Sequence, residues 1–174
     1  MKKHIDQNLT KLKFGFYFKK LSLVQIILLS SIILTECFLL YLNLNKIEME
    51  SVKVIGSITL VVIWWLPLGS GIANHFRNIW FNLSWLSICI LWANIHKDLI
   101  TSILPVLIYT YLNIARLAVK CIFKYEPIYM LVGKFPHYGY NKIENRESNK
   151  EDFIFSGLVF IIGALISMLI EVIV

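Results

Sequence analysis

Glu36 is the one carboxylate lying well inside an apolar run of this 174-residue sequence. On insertion scales a charge at mid-span costs about 2.5–3.5 kcal/mol, so Glu36 must carry a proton, find a partner or lie near the far surface. It shares a helical face with Gln25 and Asn43. A second set with chemical potential is Ser102, Pro105, Tyr109, Asn113, Arg116 and Lys120, whose steps of three and four form one helical stripe. A polar stripe on a spanning helix avoids lipid. It either lines a conduction path or hydrogen-bonds to neighbouring helices, with Arg116 and Lys120 snorkelling to headgroups; the second arrangement is the commoner. The third set is Lys134, His137, Tyr138, Tyr140, Lys142 and Arg146. Tyr and Arg are the types that anchor protein interfaces, so this set is the expected docking surface for a soluble partner, its alternative being a loop lying on acidic lipid.

Other chemistries find no residues. The sequence offers no paired catalytic carboxylates and no nucleophile beside its base, so no enzymatic activity is expected. His4, His75, His96 and His137 are scattered without metal-ligand spacing, and Cys37, Cys89 and Cys121 form no CxxC. No metal, cofactor or disulfide framework is expected.

The elements that position these residues are hydrophobic spans. The chain is 57% hydrophobic and 16% charged, against about 25% charged in a soluble domain. Its mean hydropathy is +0.68. A net charge of +6 reads as cytoplasmic anchoring rather than direct nucleic-acid binding, because the cations concentrate beside the spans. Residues 1–20 form a basic tail, its aromatic residues Phe14, Phe16, Tyr17 and Phe18 resting on inner headgroups. Spans are expected at about 21–42, 54–73, 79–95, 99–119 and 153–174, with the first retained rather than cleaved. Pro67, followed by Leu68-Gly69-Ser70-Gly71, should kink the second span by depriving the Ile63 carbonyl of its helical partner. Asn74–Asn78 should be a tight turn. In the third span Phe81, Trp85 and Trp92 share one aromatic face.

Charge sets the orientation. With the N-terminus cytoplasmic and five spans, fourteen Lys and Arg fall at inner positions and three (Lys46, Lys53, Lys97) at outer ones. The fold class is therefore an all-α polytopic bundle of about five transmembrane helices with its N-terminus cytoplasmic. Residues 21–119 form a four-span region, 120–152 a cytoplasmic loop, and 153–174 the last helix. The first half of the loop, Lys120–Val132, should be an interfacial helix broken at Glu126-Pro127. Ser148 with Glu151 should cap the last helix, in which Gly163 and Ser167 make a small-xxx-small pair suited to close helix approach.

In size, Ile/Lys/Asn-rich composition and layout, these segments resemble the membrane subunit of the Kiwa-type bacterial anti-phage systems. That resemblance implies a homo-oligomeric membrane sensor that meets a cytosolic, DNA-binding partner through its inner loop. The expected function is accordingly a non-enzymatic sensor or scaffold subunit in contact with the bilayer, its own copies and a cytosolic protein. The alternative is a channel or transporter subunit using the stripe of the fourth span.

Overall fold

A computed structural model describes residues 10–11, 15–46, 50–69, 71–96, 98–130, 140–141 and 143–173. The protein is all-α in its bulk. Helices α1 (Leu23–Leu44), α2 (Glu50–Gly69), α3 (Ile79–Ile95), α4 (Leu99–Phe123) and α5 (Lys150–Ile173) are joined by a 3-10 helix at Gly71–Arg77. Two short antiparallel pairs flank them: β1 (Thr10–Lys11) with β2 (Tyr17–Phe18), and β3 (Tyr140–Asn141) with β4 (Arg146–Glu147).

Three helices are long and apolar enough to cross a membrane, Leu23–Leu44, Leu99–Phe123 and Lys150–Leu169. A fourth crossing results if Val54–Gly69 and Gly71–Arg77, which meet at 88°, count as one broken span. Helix α3 matches its expected bounds but has 17 residues, about 25 Å of helix.

The bend falls later than the sequence suggested. Helix α2 runs through Pro67 and ends at Gly69, after which the chain turns into the 3-10 helix rather than the tight turn expected at Asn74–Asn78. The first connector is also shorter than expected, because α1 continues to Leu44 and α2 already begins at Glu50.

Helices α1 and α3 run parallel. At one end Tyr17 forms a parallel bridge with Asn78, whose side-chain amide donates to the Lys19 carbonyl at 2.8 Å. At the other end the Asn43 amide donates to the Ile95 carbonyl at 3.0 Å, satisfying one of the orphaned carbonyls of the α3 C-terminus. Helix α4 returns antiparallel to α3, and the aromatic face of α3 packs against it. Trp85 Nε1 donates to the Pro105 carbonyl and Trp92 Nε1 to the Thr101 carbonyl. Phe76 stands edge-on to Phe81, Trp85 and Tyr109. Leu29, Ile32, Ile63, Ile88, Leu104, Ile108 and Leu112 complete the core. On α5, Gly163 lies so close to Leu68 that a Cβ there would come within 2.6 Å of the Leu68 side chain. This small residue therefore serves packing within the chain.

The outward faces carry Leu23, Ile27, Leu34 and Phe38 of α1 and Leu158, Ile161, Leu165 and Leu169 of α5, all exposed. Such a continuous apolar surface suits lipid rather than water.

Candidate functional site

The polar groups converge at one end of the bundle, where β2, the 3-10 helix, the C-terminus of α4 and the chain leading into α5 meet. Helix α4 is longer than expected and carries Arg116 and Lys120 on its last turns before Lys124 ends it in a left-handed conformation (φ 62°). Tyr125 to Met130 then runs without regular structure. The interfacial helix expected for this stretch is absent there. Pro127 disfavours helical geometry at Glu126, and the extended backbone finds other partners.

Those partners are side chains. Asn74 treats Tyr129 as a strand would, accepting from its N–H at 2.9 Å and donating to its carbonyl at 2.8 Å. Ile128 N–H donates to Asp152 Oδ1 and Met130 N–H to Ser156 Oγ. The Tyr129 phenol is buried, which raises its pKa, and it donates to the Leu112 carbonyl at 2.7 Å. Side chains thus take up the N–H groups of Ile128, Tyr129 and Met130 and the carbonyl of Tyr129 in a segment that has no regular structure.

Glu126 opens the segment and is almost fully buried. Its carboxylate lies 2.6 Å from Lys120 Nζ, 3.5 Å from Arg116 Nη1 and 4.0 Å from Arg77 Nε. Arg77 also donates to Glu144 and, through Nε at 2.8 Å and Nη2, to the Gly15 carbonyl. Gly15 has φ 81°, and a Cβ there would fall 2.0 Å from Glu126 Oε1, so the position requires glycine on both counts. The rings of Phe16 and Tyr17 lie against the Arg116 and Arg77 guanidiniums, at 5.1 and 5.7 Å. Burial pushes the Tyr17 phenol up to about 12. This part of the tail is thus folded into the protein, not spread on headgroups: the Gly15 carbonyl accepts from Arg77, and the two rings cover the guanidiniums.

The β3–β4 hairpin brings in the remaining charges. Asn141 Oδ1 accepts from the N–H groups of Ile143 and Glu144, closing the turn. Arg146 donates to both oxygens of Asp152 and to the Glu126 carbonyl, and stacks on Tyr125. Its hydrogen bonds with Asp152 raise its pKa. The cap of α5 is Asn149 answered by Asp152, with reciprocal bonds of 2.9 and 3.0 Å. The box thus lies one residue beyond the expected Ser148–Glu151 pair.

The residues expected to be functional are accordingly divided. Arg116 is turned into the protein toward Glu126 instead of snorkelling, and Glu126 in turn links it to Arg146. Arg146, expected in a docking surface, has its guanidinium engaged internally. Ser102, Tyr109 and Asn113 are of intermediate exposure; the Ser102 hydroxyl donates to the Leu99 carbonyl and the Asn113 amide to the Tyr109 carbonyl, both within α4. Glu36 is apart from all of these. It is fully buried on α1, and neither oxygen has a hydrogen-bond partner among the described residues. Lys134, His137, Tyr138 and Lys142, and the Tyr140 side chain, lie outside the described residues, as do the tail residues 1–9 and 12–14. Among the described residues no group of His, Cys, Asp and Glu could hold a metal ion.

Asn74, Tyr129, Glu126, Glu144, Asp152 and Ser156 were not picked out from the sequence. A signal existed: the Lys120–Asp152 loop holds five Asp and Glu beside its six Lys and Arg. Counting only cations hides that near-balance.

No family model, curated protein or solved structure matches the chain.

Proposed function

We propose that the protein is a non-enzymatic sensor or scaffold subunit of the bacterial cytoplasmic membrane that docks a cytosolic protein through the loop between α4 and α5. The observation that carries this reading is the anchoring of that loop. Glu126 and Glu144 bind Arg77, Arg116 and Lys120, while Asp152 and Asn74 hold the intervening backbone. Force applied to such a loop passes directly to α4, α5, the 3-10 helix and the N-terminal segment.

In this reading all five helices cross or nearly cross the bilayer, with the N-terminus and the charged end inside, in keeping with fourteen inner cations against three outer ones. Tyr138 and Tyr140, together with Lys134, His137 and Lys142, provide the contact with the partner. Homo-oligomerisation and a setting in anti-phage defence follow from the resemblance to Kiwa-type membrane subunits, which rests on layout. The channel alternative would draw on the α4 stripe, and it gains no support from Ser102 and Asn113, whose side chains are bonded to carbonyls of their own helix.

The test is co-purification of the tagged full-length chain from detergent. The double variant Tyr138→Ala/Tyr140→Ala should lose the cytosolic partner while still inserting, because each aromatic anchor is worth ~2 kcal/mol at a hot spot. The variant Lys134→Gln/Lys142→Gln should retain it. A partner that survives loss of both tyrosines removes this loop as the docking site.

A further inference from the structure

We propose that Glu126–Met130 is a releasable strap, hinged at Lys124 and held in its groove by a latch centred on the Glu126 carboxylate. The proposal goes beyond docking and needs no partner to be tested.

Three features of the geometry point to release. The first is how the strap is held. Among the described residues no strand ladder contributes; the backbone N–H groups of Ile128, Tyr129 and Met130 go to one side chain each, Asp152, Asn74 and Ser156, while the Tyr129 phenol bonds to the Leu112 carbonyl and Arg146 to the Glu126 carbonyl. Such bonds can break one by one without dismantling a helix or sheet.

The second is the latch. Glu126 faces cations from two elements, Arg77 from the 3-10 helix and Arg116 and Lys120 from α4, yet among the described residues only Lys120 makes a hydrogen bond to its carboxylate. Arg116 Nε and Nη1 and Glu126 Oε2 are buried without hydrogen-bond partners among the described residues. A buried polar network satisfied this incompletely stabilises its closed state weakly for the number of charges it gathers. Opening would return these groups to water or headgroups, where their hydrogen bonds can be completed.

The third is the hinge. Lys124 sits at φ 62°, ψ 13°, a left-handed conformation that non-glycine residues adopt with strain, directly between the end of α4 and the strap. Rotation at this one residue relieves that strain and swings the strap away from Asn74 and Ser156.

The test reads exposure of the strap. In the full-length protein in nanodiscs, with Cys37, Cys89 and Cys121 replaced by Ser, Ile128→Cys reports on a side chain that is 6% exposed when closed. Its reaction with a membrane-impermeant maleimide should be slow in the parent and about tenfold faster or more after Glu126→Gln, which leaves Arg116 without its carboxylate and Arg77 with Glu144 alone. Ile88→Cys, in the core, should stay unreactive in both and so shows that the bundle remains folded. If Glu126→Gln exposes position 88 as well, Lys120→Gln decides instead, since it removes the one hydrogen bond to the carboxylate and keeps Glu126 and both arginines. Acceleration at position 128 alone supports the strap. An unchanged rate at position 128 in a folded variant, or a parent already reacting as fast as the exposed control Glu147→Cys, overturns it. Neither of these outcomes bears on whether Tyr138 and Tyr140 dock a partner.

Discussion

The indole N–H of Trp92 donates to the main-chain carbonyl of Thr101 at 2.7 Å. This is the carbonyl that Pro105, four residues on, leaves without a helical N–H. The aromatic face of α3 therefore repairs a defect in the first turn of α4. Trp92→Phe should keep the packing, orphan the carbonyl and destabilise the protein by about 1–3 kcal/mol in detergent unfolding. Adding Pro105→Ala, which restores the missing N–H, should recover part of that loss. Additive effects of the two substitutions would show that the bond carries no stability.

Glycines of α5 should respond in opposite senses. At Gly163 a Cβ would meet the buried Leu68 side chain, whereas at Gly157 it would meet nothing within 4 Å. Gly157→Ala should be neutral or stabilising by up to about 1 kcal/mol, from helix propensity. Gly163→Ala should fall below it by about 1–3 kcal/mol through overpacking of α2 against α5. Equal stabilities for the two variants would mean that α2 and α5 do not approach closely at this point.

How far the sequence reached depends on which residues interact locally. The bounds of α3 were legible from its apolar run, and the shared face of Phe81, Trp85 and Trp92 from helical periodicity alone. Of the α4 stripe, Pro105 and Arg116 are buried, while Ser102, Tyr109, Asn113 and Lys120 stay half-exposed. The charged hub was not legible. Arg77, Arg116 and Glu126 are separated by 39 and 10 positions, and no periodicity links a span turn, a helix end and a loop carboxylate. A rule that treats Lys and Arg as solvent-facing anchors places Arg116 at the headgroups and gives Glu126 no role beyond marking a helix break. Gly15 was equally silent, because its role arises only once Glu126 lies against it. The length of α4 was missed for a related reason: its last turn is stopped by a lysine in a left-handed conformation, where glycine is the usual signal.

Acid should weaken the far end of the bundle at the start of α4. Asp98 caps that helix, accepting from the Thr101 N–H at 2.8 Å and from its hydroxyl at 2.7 Å, and these bonds hold its carboxyl below the usual range. A depressed folded-state value contributes stability above the unfolded value and loses it as pH falls through the folded one. The melting temperature of Asp98→Ala should therefore lie below that of the parent at neutral pH. The gap should close as the pH is taken below about 4, the ordinary range of Asp. A gap independent of pH would assign the effect to something other than the ionised cap.

Docking from the cytosol requires the charged hub and its loop at the cytoplasmic end, and the α1–α2 and α3–α4 connectors at the other. The direct measurement is sidedness. Single cysteines replacing Asn45, Asp98 and Glu147, all exposed, are placed in a background lacking Cys37, Cys89 and Cys121, and intact spheroplasts are treated with an impermeant thiol reagent. Asn45→Cys and Asp98→Cys should label at once, and Glu147→Cys only after the membrane is permeabilised. Labelling of Glu147→Cys in intact spheroplasts, with Asn45→Cys and Asp98→Cys protected, would turn the bundle over and leave the loop with no cytosolic partner to meet.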